Sequence, residues 1–188
     1  MASNPAKSTL RKHMRALRAQ LAAAAPDAGA LAAARLPVER LQAHRVFSGY
    51  HALGDEMDAY PLMRRLADAG LAASLPVASR TEPMTFRLWD PRSPMEPDEF
   101  GIPAPPPHED VVYPDLVICP LLAFDRRGHR LGQGKGHYDR TVEQLRERQP
   151  VFLLGLAYAG QEVDAVPAEP HDQPLDAILT ETEYMEVR

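Results

Sequence analysis

The sequence predicts one α/β domain over residues 1–188, with three layers and a largely parallel mixed sheet between flanking helices. A chain of 188 residues is long enough for one domain with its own core and short for two. From Arg45 onward, short apolar runs alternate with helical segments, as is typical of layered α/β domains. A glycine-rich segment at 132–136 also separates a buried apolar run from a predicted helix, which is an arrangement suited to anion binding.

The first 35 residues predict two helices. Asn4-Pro5 is typical of a helix N-cap followed by proline in the first turn. Pro26-Asp27 interrupts an alanine-rich stretch, so we expect a second helix to begin there. We expect the first helix to have one face in the core and the other face basic. The apolar positions at helical spacing are Leu10, Met14, Leu17 and Leu21.

The chain beyond Arg45 predicts strands and helices in alternation. Helices are expected near 58–69 and 139–148. Residues 91–114 hold eight of the 19 prolines, so they predict an extended surface loop. A linker between two domains is the alternative, but little chain lies on either side. The predicted strands are 46–50, 71–75, 84–89, 116–119, 151–157 and 177–180.

Composition excludes several classes of protein. A net charge of −5 leaves no broad basic surface, so we expect no nucleic-acid partner. No apolar run approaches the roughly 20 residues of a membrane span, and no secretory signal is visible, so we expect a cytoplasmic protein without membrane contact. The only cysteine, Cys119, lies in an apolar run and predicts a buried structural thiol.

Charge is unevenly distributed along the chain. Residues 1–45 carry eight Lys or Arg against two acidic residues, a local charge of +6, whereas the remainder carries 13 against 24, or −11. A basic first segment on an acidic protein suits a small anionic ligand. A solvated helix face would produce the same pattern.

The glycine-rich segment is the strongest local signal. Glycines at every second position, 132, 134 and 136, let the backbone approach phosphate oxygens, and Lys135 adds a positive charge. A Walker loop would require glycine at 129 and Ser or Thr at 136, where His129 and Gly136 stand. A dinucleotide fingerprint would require glycine at 137, where His137 stands. Neither motif is present, and a turn-rich connection without a ligand remains an alternative.

The segment 123–140 closely resembles the signature of the 5-formyltetrahydrofolate cyclo-ligase family. It reads Ala-Phe-Asp, then two arginines, then Gly-His-Arg-Leu-Gly-Gln-Gly-Lys-Gly-His-Tyr-Asp-Arg. Three further matches occur in the family's order along almost the whole chain. They are Lys7 with Leu10-Arg11, Glu56 after the strand predicted at 46–50, and His171-Asp172 ahead of 175–180.

The resemblance implies a three-layer α/β fold and one reaction. In this reaction 5-formyltetrahydrofolate, with ATP as co-substrate and Mg²⁺ as cofactor, yields 5,10-methenyltetrahydrofolate, ADP and phosphate. The formyl oxygen is a poor leaving group, so phosphorylation is expected to precede ring closure by N10. Phosphoryl transfer depends mainly on positioning and charge neutralisation. We expect a monomer whose partners are these small molecules alone.

The resemblance also implies roles for individual residues. Lys135 and Arg130 are expected to be catalytic, and Asp139 and Asp172 to bind Mg²⁺. The expected ATP contacts are Lys7, Arg11, Arg130, Leu131, Gly132, Gln133, Gly134, Lys135, Gly136, His137 and Tyr138. The expected folate contacts are His51, Leu53, Glu56, Gln133, Gly134, Lys135, Gly136 and His137.

Two positions depart from the family pattern. His137 stands where tyrosine is common, and Gln133 occupies a position that varies within the family. A binding protein that has lost turnover is therefore one rival interpretation. An unrelated enzyme for phosphate ligands on a similar layered fold is another, because a fold alone does not define a function.

Overall fold

The structure, a computed structural model, describes residues 5–187. The helices are α1 (Pro5–Ala24), α2 (Ala28–Arg35), α3 (Tyr60–Asp68) and α4 (His137–Arg148). The strands are β1 (Val46–Ser48), β2 (Ala72–Val77), β3 (Thr85–Leu88), β4 (Glu96–Pro97), β5 (Pro103–Ala104), β6 (Val111–Val112), β7 (Leu116–Pro120), β8 (Ala123–Phe124), β9 (Arg130–Leu131), β10 (Phe152–Leu156), β11 (Ala177–Leu179) and β12 (Tyr184–Glu186).

Eight of these strands form one mixed sheet, in the order β12-β11-β10-β7-β1-β2-β3-β6. The five central strands from β11 to β2 are parallel to one another. The outer strands β12, β3 and β6 pair antiparallel with their neighbours. The predicted fold class, a largely parallel mixed sheet flanked by helices, is confirmed.

Strand β7 shows why its sequence is continuously apolar. Successive side chains of a strand point to opposite faces of the sheet. Leu116 and Ile118 pack in the core with α2 and α3, whereas Val117 and Cys119 pack in the core with α4. Because both faces are covered, every residue of the run is apolar. Burial raises the pKa of the Cys119 thiol to about 11, which agrees with the predicted structural role.

Two loop predictions need correction. The proline-rich segment 91–114 is not wholly irregular, since it contains the β4–β5 pair and then β6, which joins the main sheet as an edge strand. Proline lacks an amide donor, so such strands remain short and peripheral. The connection from β7 to α4 is likewise not a single loop, because 123–131 forms the β8–β9 hairpin before the glycines.

Helix α1 lies near the carboxyl edge of the sheet, with Met14 buried among residues of the β8–β9 hairpin. The expected division into an apolar and a basic face is wrong in one respect. Lys7 and Arg18 are buried, because each forms ion pairs inside the protein. The predicted N-cap Asn4 lies outside the described residues. Between residues 5 and 187, no helix has the combined length and apolarity that crossing a bilayer demands.

Candidate active site

The predicted site residues gather at the carboxyl edge of the sheet. From β1 the chain continues to β2 on one side, whereas β7 and β10 lie on the other, so the strand order reverses between β1 and β7. In open α/β sheets, ligands bind outside the carboxyl ends of the strands at such a point. Arg18 of α1 connects the segments that follow β1 and β7, because its guanidinium donates to Asp55 after β1 and to the carbonyl oxygen of Leu121 after β7.

Asp125 organises the hairpin that leads to the glycine loop. Its carboxylate accepts hydrogen bonds from the amides of Arg127, His129 and Val166 and contacts the side chains of Arg127 and His129. Burial by itself raises the pKa of Asp125, but these bonds outweigh it and lower the pKa to about 2. Asp125 therefore has a structural role within the motif that resembles the family signature.

Asp125→Asn is expected to lower the free energy of unfolding at pH 7 by about 2 to 3 kcal/mol, since one pKa unit corresponds to about 1.4 kcal/mol. The folded-state pKa lies below that of the unfolded chain, about 3.9. The stabilisation is therefore present above pH 4 and is lost as the pH falls towards 2. Urea unfolding from pH 7 down to pH 3 should show the gap between parent and variant closing. A constant gap, or an equal effect of the exposed Asp68→Asn, would contradict this account.

The glycine loop, residues 132–136, ends at the N-terminus of α4. Gly134 and Gly136 have φ of 100° and 65°, a conformation that favours glycine, and Gly136 is the N-cap residue. The first amides of a helix lack intrahelical partners and carry a partial positive charge. Arg11 holds the loop against α1, because its Nε donates to the carbonyl oxygen of Gly132 at 3.0 Å. This arrangement, a glycine loop leading into a helix N-terminus, is one that suits an anionic ligand.

Lys135 projects from this loop with its side chain exposed. Its Nζ lies 4.4 Å from the ring centroid of Phe100, and that ring contacts His137 with centroids 5.4 Å apart. Among residues 5–187, no carboxylate forms an ion pair with Lys135. Phe100 belongs to the proline-rich segment, so this segment covers one side of the loop. The sequence gives no sign of this role for Phe100, because no periodic pattern marks an isolated aromatic residue in a loop.

Arg130 and Leu131 lie further inside the protein, and Tyr138 is partly buried. Arg130 Nη2 forms an ion pair with Asp139 at 2.8 Å, and Nη1 donates to the carbonyl oxygen of Gln173. The side chain of Leu131 is buried in the core beside α1. Burial raises the pKa of Tyr138 well above its usual value. The side chains of Arg130 and Leu131 thus lie in the interior and support the glycine loop rather than lining its exposed side.

The two predicted metal ligands lie in adjoining segments. The amide of Gln173 donates to Asp139 Oδ1 at 3.0 Å, which places the neighbouring residue Asp172 beside the start of α4. Lys7 Nζ forms ion pairs with Asp172 Oδ2 at 2.6 Å and with Glu169 Oε2 at 2.7 Å. Burial lowers the pKa of Lys7, but the two carboxylates outweigh burial and raise it. The predicted phosphate ligand Lys7 and the predicted metal ligand Asp172 are therefore paired with each other.

The surroundings of Asp172 suit a divalent cation. Glu169, His171 and Asp172 each offer one ligand atom, and these atoms lie within 4.8 Å of one another. Carboxylate oxygens suit Mg²⁺, whereas imidazole suits transition metals better. The ammonium of Lys7, which contacts both carboxylates, demonstrates that a cation fits between them. The sequence does not mark Glu169 as a candidate ligand, since no pattern distinguishes an acidic residue that binds a ligand in a turn from one that is only solvated.

Glu56 lies in the connection that follows β1, near the opposite end of α1 from Lys7. Its side chain is only 7% exposed, accepts a hydrogen bond from the amide of Leu53 at 3.1 Å, and lies 3.6 Å from Arg18. Burial raises the pKa of Glu56, and the Leu53 amide and Arg18 oppose that rise without cancelling it. A buried carboxylate of this kind can accept hydrogen bonds from a ligand that shields it from water.

The loop between β1 and Glu56 contains the other two predicted folate contacts. His51 Nδ1 lies 3.3 Å from the hydroxyl of Tyr60, and the Tyr60 ring meets the edge of Trp89 with centroids 5.5 Å apart. Leu53 is 44% exposed, which leaves an apolar side chain available to a ligand. His51 and Leu53 therefore lie on the same loop as Glu56.

The fold and this site define a class of protein: a layered α/β protein with a glycine loop at a helix N-terminus and a buried carboxylate, both at the carboxyl edge of its sheet, which is an arrangement suited to an anionic ligand. Residues 3–181 match the 5-formyltetrahydrofolate cyclo-ligase family. The chain belongs to this family.

Similar proteins agree with this assignment. The 5-formyltetrahydrofolate cyclo-ligase of Mycolicibacterium smegmatis is 32% identical over 72% of this chain and 73% of its own length. The 5-formyltetrahydrofolate cyclo-ligase of Escherichia coli K12 is 36% identical over 70% of this chain and 75% of its own length. That of Haemophilus influenzae is 39% identical, over about half of each chain, 51% and 53%. The fold resembles the NMR structure of Aquifex aeolicus 5,10-methenyltetrahydrofolate synthetase, with a TM-score of 0.74, 23% identity and 97% and 93% of the two chains covered.

Proposed function

We propose that this protein is an ATP-dependent 5-formyltetrahydrofolate cyclo-ligase that converts 5-formyltetrahydrofolate to 5,10-methenyltetrahydrofolate. The observation that carries the proposal is the position of α1. Arg11 contacts the glycine loop and Arg18 contacts Glu56, so a single helix links this loop to a buried carboxylate. Membership of the family supports the same reaction.

The chemistry explains why one crevice has to hold both substrates. The formyl oxygen accepts the γ-phosphoryl group of ATP, and ADP leaves. N10 then attacks the formyl carbon, the carbon–oxygen bond breaks, phosphate departs with that oxygen, and N10 loses its proton. Both steps require the formyl group to lie beside the γ-phosphate, and positioning of this kind supplies much of the rate enhancement in phosphoryl transfer.

Each element of the site has a role in this proposal. The amides of the glycine loop and of the first turn of α4 bind phosphate oxygens, while Lys135 neutralises charge on the transferred phosphoryl group. Arg11 and Lys7 hold the remaining phosphates from α1. A bound Mg²⁺ would neutralise phosphate charge, and Asp172 with Asp139 would hold it, joined by Glu169. Glu56 accepts hydrogen bonds from the folate.

Glu56→Gln is expected to raise KM for 5-formyltetrahydrofolate about tenfold, which corresponds to about 1.4 kcal/mol of binding free energy, and to change KM for ATP less than about twofold. The amide keeps the shape of the side chain but loses the charge that accepts hydrogen bonds from folate. Initial rates at varied concentrations of each substrate provide the measurement. Glu82→Gln, at an exposed position, serves as the matched control. Equal increases in both KM values would argue against a specific role in folate binding.

One assay tests the proposed reaction directly. Purified protein is mixed with 5-formyltetrahydrofolate and MgATP, and the absorbance of the methenyl product is followed. Growth of this absorbance together with release of ADP would support the cyclo-ligase. Binding of both ligands without product would identify a binding protein instead, and binding of neither would exclude the proposed function.

The site suggests how the protein operates in the cell. We expect the protein to act as a monomer, with the glycine loop, the carboxylates and Glu56 of one chain forming the whole site. The single cysteine is buried and unpaired, as suits a protein of the reducing cytoplasm. Gel filtration with light scattering would test the first of these two statements.

A further inference from the structure

Arg18 is a buried cation, although packing of the hydrophobic core does not require a charged side chain at this position. It is 4% exposed, and its Nε has no hydrogen-bond partner within the described chain. Removing an arginine from water costs several kcal/mol, and buried ion pairs seldom recover more than this cost. An apolar residue would fill the same space at lower cost. A function that requires a positive charge at this point gives a reason for its presence.

The contacts of Arg18 show where that charge acts. Nη2 forms an ion pair with Asp55 at 2.7 Å, and Nη1 lies 3.6 Å from Glu56 and 3.3 Å from the carbonyl oxygen of Leu121. The guanidinium is thus fixed between the loop after β1 and the end of β7. A planar group with several donors at fixed angles orients its partners more strictly than an ammonium does.

Helix periodicity places Arg18 in line with the phosphate-binding side chains. Positions 7, 11 and 18 fall within about 40° of one another around a helix of 3.6 residues per turn, so they share one stripe. The rise between positions 7 and 18 is about 16 Å. Lys7 therefore contacts Glu169 and Asp172 near one end of α1, while Arg18 contacts Glu56 near the other end.

We propose that Arg18 is a positioning residue, which acts on folate through Glu56 by holding that carboxylate ionised and correctly oriented. Asp55 takes the closer contact with the guanidinium, at 2.7 Å, and holds it in place. The longer contact leaves the carboxylate of Glu56 available to a ligand. This inference rests on the proposed function of the site.

A double-mutant cycle tests the proposal through the affinity for 5-formyltetrahydrofolate, measured by titration calorimetry without ATP. Arg18→Gln in the parent is expected to weaken binding about tenfold, whereas the same change in Glu56→Gln is expected to weaken it less than about twofold. Arg18→Lys is expected to recover part of the loss. Arg40→Gln, at an exposed position away from the site, should bind as the parent does.

The outcomes separate the possible errors. Equal losses from Arg18→Gln in both backgrounds would overturn the proposal, as would a lysine variant no better than the glutamine variant. If Arg18→Gln fails to fold, Arg18→Lys with and without Glu56→Gln completes the cycle, because both variants keep a cation near Asp55. A parent that binds folate but forms no product would overturn the proposed function alone. A parent that binds no folate would overturn both.

Discussion

Lys135→Ala is expected to lower kcat for formation of 5,10-methenyltetrahydrofolate by about 100- to 1000-fold, the usual effect of removing one group that stabilises charge in a transition state. Lys135 projects from the glycine loop at the N-terminus of α4 and is exposed. In residues 5–187 no carboxylate competes for its charge. The cation is therefore free to interact with a transferred phosphoryl group.

The same exposure predicts that the fold survives the change. The side chain loses only its contact with the ring of Phe100, so the melting temperature should change little. The matched control is Lys12→Ala, which removes an exposed lysine from α1. Lys135→Arg should recover part of the rate, since it keeps the charge. Turnover near that of the parent in Lys135→Ala would show that this loop does not hold the reacting phosphate.

Lys7→Ala is expected to have two opposite effects: turnover falls by about 100-fold or more, and a divalent cation binds without ATP. In the described structure Lys7 contacts both Glu169 and Asp172. A cation cannot occupy the position between these carboxylates while the ammonium is there. Removing Lys7 leaves two carboxylates close together, which repel one another and favour a metal ion.

Electron paramagnetic resonance of Mn²⁺ measures the second effect separately from turnover. We expect Lys7→Ala to bind Mn²⁺ at least about tenfold more tightly than the parent when nucleotide is absent, a difference of about 1.4 kcal/mol. Adding Asp172→Asn should abolish this gain, and Lys12→Ala should leave Mn²⁺ binding unchanged. Equal binding by the parent and Lys7→Ala would mean that Lys7 does not exclude the metal. In the parent, ATP would draw Lys7 to its phosphates and free the carboxylates for Mg²⁺, so metal and nucleotide should bind together.

The sequence was sufficient to predict the layered fold, because each prediction rested on a local pattern. Alternating apolar runs and helices correspond to β1, β2, β7, β10 and β11 with the helices between them. At the outer edges the run at 84–89 predicted β3, but β6 and β12 were missed, because strands of two or three residues have no measurable periodicity. Edge strands depend on the neighbour that pairs with them more than on their own residues.

The sequence also located the glycine loop and the residues of the family signature. It did not show which of these residues shape the loop and which are exposed to a ligand. Asp125 and Lys135 belong to one motif, yet Asp125 is 1% exposed and fixes a turn, whereas Lys135 is exposed to solvent. Spacing alone does not distinguish a residue that shapes a loop from one that faces a ligand. Burial, which depends on the whole fold, makes this distinction.

By itself, the sequence determined where the main strands, the helices and the glycine loop lie along the chain, since backbone conformation follows from apolar periodicity and from glycine and proline positions. Only the tertiary structure decided which charged side chains form ion pairs with each other. Lys7 pairs with carboxylates 162 and 165 residues away, and Arg18 with one 37 residues away. Such pairs depend on how α1 crosses the edge of the sheet, and that crossing is set by the packing of the core as a whole.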